Sequence, residues 1–246
     1  MKRKGLTAAV CAAAGVAAAA LLLMGHGGIL PARLTFGETA DAPDEEYPQS
    51  GDMPALDTSS WELKLVNEDN VLSQSFEPET EEIENGQSFD SRAADKLRAL
   101  LSAAREAGFD PELVCGYRPY SSQAYVFFEK VSDIEQKSAV TEQQAKALAR
   151  RSEDYPGTSE HQLGLAADIV ERGSGDDSAE SAENDALIVW LAENCVEFGF
   201  VQRYPADKES VTGKNEPWHF RYVGEEAARF MKESNLSLEQ LLALYK

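Results

Sequence analysis

Apolar residues recur at helical spacing between Asp90 and Ala107, at Ala94, Leu97, Leu101 and Ala104, and the pattern stops at Gly108. This predicts an amphipathic helix with a glycine terminator. Upstream, Trp61, Leu63 and Leu65 alternate with Glu62 and Lys64, which predicts a short strand over 61–66 entering the fold. Downstream, Leu113–Tyr117 reads as a strand and Ser121–Val131 as a helix. A further helix over Thr141–Ser152 opens with Thr141 and Gln144 at capping-box spacing, and Pro156-Gly157 ends that region in a turn. Leu165–Val170 is apolar except for Asp168, so it predicts a buried strand carrying one inward acid. A second amphipathic helix follows over 183–198, with Leu187, Ile188, Leu191, Cys195 and Phe198 on one face and Gly199 as its stop. Strands are predicted at Phe200–Tyr204 and Trp218–Val223, then two closing helices, the last opened by Ser237 with Gln240. Helices and short strands in this order predict an α+β fold, a small, mostly antiparallel sheet with helices packed against it.

Charge divides the chain further. Residues 6–25 carry no charge and follow Lys2, Arg3 and Lys4. About 20 apolar residues suffice to cross a bilayer, and the basic cluster ahead of them would stay cytoplasmic. Residues 1–36 therefore read as a membrane anchor, with a cleaved signal segment as the alternative. Either way the rest of the chain is exported: a single-pass cell-membrane protein with its domain extracellular, or a secreted one. Between Glu38 and Asp90 stand 16 acidic residues and one basic residue, Lys64, and residues 38–60 hold three prolines and few apolar side chains. The stretch 37–60 thus reads as an acidic flexible linker, and the domain as 61–246. The net charge of −20 makes nucleic acid an improbable partner. Of three cysteines, Cys11 lies in the apolar segment; Cys115 and Cys195 read as two buried thiols, with a bridge between them as the alternative allowed in an exported domain.

The candidate chemistry concentrates in two segments. In Ser159–Asp168 an imidazole, His161, precedes a carboxylate, Asp168, by seven residues, and Gly164 between them lets the backbone fold back. An acid in an apolar strand is tolerated when it binds a metal or a counter-charge. In Glu216-Pro217-Trp218-His219 an acid precedes the other histidine of the folded region by three residues. Residues three apart in a regular strand face opposite ways, so these converge only if the chain bends, and Pro217 makes a bend plausible. Two histidines and an aspartate would leave a fourth zinc position open for water, the arrangement of a hydrolytic site. Read singly, each residue has a plainer role: a turn histidine, a salt-bridged aspartate, a surface glutamate.

Cys115-Gly116-Tyr117-Arg118 with Gln123, then Ser159-x-His161-x-x-Gly164-x-Ala166-x-Asp168, then Glu216-x-Trp218-His219-x-Arg221, resemble the VanY-type D-alanyl-D-alanine carboxypeptidases. These belong to the zinc peptidase group that includes lysostaphin-like enzymes and the hedgehog signalling domain. The likeness runs from about Trp61 to the C-terminus. It implies one zinc ion at the sheet held by His161, Asp168 and His219, Glu216 as catalytic base, and Arg118 stabilising the oxyanion or holding substrate, with Ser159 and Gln123 contributing hydrogen bonds. Arg203 and Arg221 are alternatives for capturing a substrate carboxylate, and Trp218 reads as packing that fixes the ligands. Cys115 departs from the family pattern, where serine is usual; the ligands and base are unaffected.

The resulting expectation is an exported zinc D,D-carboxypeptidase that removes the terminal D-alanine from peptidoglycan stem peptides or their lipid-linked precursors. An L,D-carboxypeptidase acting on the tetrapeptide stem is one alternative. A zinc-bearing module that binds peptidoglycan or a partner without turnover is another. The sequence leaves the oligomeric state open.

Overall fold

The computed structural model describes residues 53–174, 182 and 185–246. The expected anchor and most of the acidic linker lie outside these residues. Among the described residues no helix is long and apolar enough to cross a membrane.

The chain runs β1 (Thr80–Glu84), β2 (Gln87–Asp90), α1 (Ala94–Glu106), β3 (Pro111–Cys115), α2 (Tyr120–Lys137), α3 (Glu142–Ala149), α4 (Glu160–Leu163), β4 (Ala166–Glu171), α5 (Ala186–Asn194), β5 (Phe200–Tyr204), α6 (Glu209–Thr212), β6 (Glu216–Tyr222), α7 (Glu225–Glu233) and α8 (Leu238–Leu244). A 3-10 turn, Cys195–Phe198, continues α5 up to Gly199. The α+β fold expected from the sequence is what forms. Its main sheet has the order β3-β4-β6-β5, every neighbouring pair antiparallel.

The amphipathic face of α1 explains why the sheet has a core. Leu97, Leu100 and Leu101 are fully buried with Phe89, Leu113, Leu165, Ile169, Phe200 and Phe220, and each such side chain removed from water contributes about 1.5–3 kcal/mol. A smaller cluster, Phe127, Val131, Ala145 and Ala149, pins α3 against α2. The Thr141 and Ser237 capping boxes both form.

Two elements differ from the sequence reading. Residues 61–66 are not a strand. Leu63 and Val66 are buried as the alternation suggests, but the carbonyls of Glu62 and Lys64 accept from Arg221 Nη2, at 2.8 and 2.9 Å, instead of from a neighbouring strand. The packed chain also begins upstream of Trp61, because Met53 and Leu56 lie against the core and Tyr245 Oη donates to the Pro54 carbonyl. Conversely, the acidic stretch before Asp90 contains an unanticipated hairpin. Asn85 and Gly86, at φ 54° and 76°, turn β1 back onto β2, the backbone that an Asn-Gly pair adopts most readily.

Candidate active site

Asp168 occupies the middle of a row that crosses three strands. In β3 its neighbour is Cys115, and in β6 it is His219. Antiparallel neighbours directly opposite one another project side chains to one face, so register alone brings Asp168 and His219 together. Asp168 Oδ1 lies 3.0 Å from His219 Nδ1.

His161 arrives from α4, a single turn that ends at Gly164. This glycine sits at φ 81°, and a Cβ there would meet Pro78 Cγ at 2.9 Å, so the sharp return from α4 into β4 requires it. The turn sets His161 Nε2 3.1 Å from Asp168 Oδ2. The other ring nitrogen, Nδ1, is 2.9 Å from the Gly116 carbonyl. Gly116 is there because a side chain would collide with the Ser88 carbonyl of β2 at 2.3 Å. The two imidazoles meet edge to face at 4.9 Å.

Glu216 joins through an irregularity in β6. Gln202 pairs with Phe220 but Tyr204 pairs with Glu216, so β6 holds extra residues opposite Arg203. This bulge contains Pro217, whose carbonyl accepts from the Gln202 side chain at 2.9 Å. It breaks the two-residue alternation and turns Glu216 towards His219, with Oε2 3.9 Å from Nδ1. The other Glu216 oxygen faces Lys214 Nζ at 3.8 Å, and Lys214 is held by Asp154 at 2.6 Å. The bend expected from Pro217 is thus present.

The electrostatics follow from burial. Desolvation alone would raise the Asp168 carboxyl, but His161 and His219 outweigh it and hold it well below the usual range. Burial would lower His219; the carboxylates of Asp168 and Glu160 beside it reverse this and raise it to about 9 in the metal-free protein. Yet Asp168 Oδ1 is buried without a well-formed hydrogen bond, a costly state that a cation at the convergence point would relieve. Ligand atoms of a tetrahedral zinc stand roughly 3.3 Å apart for bonds near 2.05 Å. The contacts here, 3.0 Å from Oδ1 to His219 Nδ1 and 3.1 Å from Oδ2 to His161 Nε2, are of that order, one from each oxygen of Asp168. Cys115 Sγ also comes within 4.8 Å of the His161 and Asp168 ligand atoms, but Arg118 Nη2 donates to it at 3.0 Å.

Arg118 is half-buried at the edge of this cluster, its Nη1 donating to Gln123 Oε1 at 3.0 Å. Gln123 is itself buried, and its amide donates to the Asp154 carbonyl at 2.7 Å, so it seats Arg118. Ser159 Oγ is buried and has no hydrogen-bond partner among the described residues. Arg203 and Arg221 do not face this site. Both are buried and bound to Glu160, at 2.9 and 2.8 Å, which removes them as captors of a substrate carboxylate. Trp218 packs against the main core as expected. Cys115 and Cys195 are buried and not joined in a disulfide, and burial pushes the Cys195 thiol up to about 12. Sequence reasoning missed Glu160, beside His161, and Glu153, whose carboxyl burial raises to about 7 against the attraction of Arg118. Neither carries a motif signal of its own: Glu160 lies inside the Ser159–Asp168 segment and Glu153 a few residues before it.

Known proteins resemble this chain in sequence and in fold. Residues 86–225 match the VanY family model, described as D-alanyl-D-alanine carboxypeptidase. A D-alanyl-D-alanine carboxypeptidase of Enterococcus faecalis (strain ATCC 700802 / V583) is 43% identical over 187 residues, covering 76% of this chain and 67% of that protein. VanYB in complex with D-alanine-D-alanine superposes with a TM-score of 0.66 at 42% identity, over 76% of this chain and 100% of that one. A mutant of the vancomycin-resistance D,D-pentapeptidase VanY from the VanB-type cassette, in complex with Zn(II), gives 0.64 at 42% identity, over 74% and 99%. The LD-carboxypeptidase LdcB gives 0.63 at 33% identity, over 73% and 84%. The segments that build the site lie inside the matched region, and the chain belongs to the VanY family of D-alanyl-D-alanine carboxypeptidases, a family of zinc peptidases.

Proposed function

We propose that this chain is an exported, zinc-dependent D,D-carboxypeptidase that hydrolyses the terminal D-Ala-D-Ala bond of peptidoglycan stem peptides or their lipid-linked precursors. The observation that carries the reading is the convergence of His161, Asp168 and His219 at one point of the sheet with Glu216 beside it. His161 Nε2, an Asp168 oxygen and His219 Nδ1 would hold one metal ion. When bound, zinc lowers the pKa of a coordinated water to about 7 and polarises a carbonyl.

Glu216 takes the proton of the attacking water and returns it to the amine of the departing D-alanine. Arg118 supplies the positive charge that either the developing oxyanion or the terminal carboxylate of the substrate requires, and a guanidinium can meet a carboxylate with two parallel hydrogen bonds. Ser159 Oγ offers a hydrogen bond that no described residue uses. A pure binding module has no need of a carboxylate 3.9 Å from a ligating imidazole, which weighs against the non-catalytic alternative.

The deciding experiment incubates the purified chain with a stem pentapeptide and measures free D-alanine. Release that is lost on chelation and in Glu216→Ala supports the reading; no release, or release indifferent to both, overturns it. The likeness to an LD-carboxypeptidase favours the tetrapeptide as a second substrate, and mass spectrometry of both peptides in parallel separates the two. Export and anchoring are tested by cell fractionation and N-terminal sequencing of the mature protein.

A further inference from the structure

We propose that Glu160 is the positioning residue of the metal centre, fixing through one buried hydrogen bond which nitrogen of His219 faces the ion. The inference rests on the metallopeptidase reading above and deepens it.

Glu160 is fully buried in the one-turn helix α4, directly before His161. Its Oε1 accepts from Arg203 Nε at 2.9 Å and from Arg221 Nη1 at 2.8 Å. Its Oε2 faces His219 Nε2 at 3.4 Å. With two guanidiniums donating to it and no competing acid in contact among the described residues, Glu160 sits there as the carboxylate partner of an ion pair. An ionised carboxylate can only accept, so the His219 nitrogen facing it is the one that carries the proton. That leaves Nδ1, the nitrogen turned towards Asp168 and Glu216, to ligate. Second partners of this kind fix the tautomer and orientation of metal-binding histidines.

The arginines have no spare role. Arg203 makes a two-pronged pair with Glu239 of α8, at 2.9 and 2.5 Å. The remaining donors of Arg221 go to the carbonyls of Glu62, Lys64 and Tyr222. A buried ionic network of this size seldom stabilises a fold more than apolar packing would. Here its one free acceptor points at a ligand. Glu62, Lys64 and Glu239 lie outside the matched family region, residues 86–225, so both ends of the domain brace the metal centre through the same carboxylate.

Glu160→Gln tests this on the full chain. The substituted side chain can still accept from both arginines, but it presents an N–H to His219 Nε2 and drives the proton to Nδ1. Zinc affinity, measured by chelator competition, should fall about 10–100-fold. Glu239→Gln removes the same charge from the network without touching His219, so it should lower the thermal midpoint and leave zinc affinity unchanged. Nitrogen-resolved NMR of the zinc-loaded wild-type chain should show His219 protonated at Nε2, a readout that stands even if Glu160→Gln fails to fold. Wild-type affinity in Glu160→Gln, equal affinity loss in both variants, or a bare Nε2 in the wild type overturns the role. A wild-type chain that binds no zinc would instead remove the metal reading itself, and this role with it.

Discussion

Asp168 Oδ1 stands 3.0 Å from His219 Nδ1 across the β4–β6 pair, yet this buried oxygen has no well-formed hydrogen bond. Two groups that close, with an unfavourable angle between them, aim at a third point. Zinc bound there adds its binding free energy to folding: at a free concentration a hundred times the Kd, about 2.7 kcal/mol. The thermal midpoint of the wild-type chain should therefore rise with zinc and fall on chelation. Asp168→Ala should abolish that response and also lower the metal-free midpoint, since the contacts to His161 and His219 that outweigh the burial of the carboxylate are lost. Differential scanning calorimetry with and without chelator checks this, and an undiminished zinc response in Asp168→Ala would contradict it.

Glu216 is held near His219 by the bulge in β6 and by Lys214, and it does not pair with Asp168 in the sheet. Its loss should separate chemistry from metal binding. Glu216→Gln is expected to lower kcat by about 10²–10⁴-fold, the usual contribution of a positioned base, with zinc content preserved. Turnover paired with metal analysis of the same preparation is the measurement. Activity close to wild type would require another base.

Arg118 is seated by two side chains, Gln123 and Cys115. The Cys115 that departs from the usual family serine therefore contacts the arginine, not only the core. Serine at this position retains an acceptor for Nη2, so Cys115→Ser should keep most activity, whereas Arg118→Ala should cost kcat/KM about 10²–10³-fold. Gln123→Ala should raise KM by freeing the guanidinium without removing it. Steady-state kinetics on the three variants rank them, and a Cys115→Ser defect as deep as that of Arg118→Ala would place the thiol in the chemistry.

The success of sequence reading followed the range of the interactions involved. Elements encoded by local periodicity came through: α1 from Leu97 and its repeats, β5 at its observed bounds, both capping boxes. His161, Asp168, His219 and Glu216 stood out jointly, because each histidine of the folded region has an acid close by in the chain and Asp168 interrupts an apolar strand, and the structure brings the four together. Segment 61–66 failed because alternation reports which side chains are buried, and says nothing about who pairs with the backbone. There the partner is Arg221, some 150 residues away in the chain. Glu160 was invisible for the same reason: a glutamate beside a histidine looks like a solvated turn until Arg203 and Arg221 arrive from other strands. The hairpin at Asn85-Gly86 carried a local signal, hidden by the surrounding acidic composition.

Glu153 is buried beside Arg118, and desolvation raises its carboxyl to about 7 from an ordinary 4.5. Its folded-state pKa lies above its unfolded value, so the folded state holds the extra proton between these limits. The stability this gives is complete below about 4.5 and is lost as pH rises through 7. Glu153→Gln should thus raise stability at pH 8 by roughly 1–3 kcal/mol and change it little at pH 4.5. Urea unfolding at the two pH values decides, and an equal effect at both would point to packing instead of charge.

His219 adds a pH dependence of the same sign, shifted to higher pH. In the metal-free protein the neighbouring carboxylates of Asp168 and Glu160 overcome burial and raise it from 6.5 to about 9. Stability from this group is therefore complete below about 6.5 and is lost as pH rises through 9. Zinc must displace a proton from the same imidazole, so below 9 apparent affinity should climb by up to about tenfold per pH unit and then level off. Chelator-competition titrations from pH 6.5 to 9.5 measure the slope, and the metal-free thermal midpoint over the same range should fall as affinity rises. A flat affinity profile would mean that His219 is already neutral before the metal arrives. In that case Glu160 and Asp168 orient the ring without charging it.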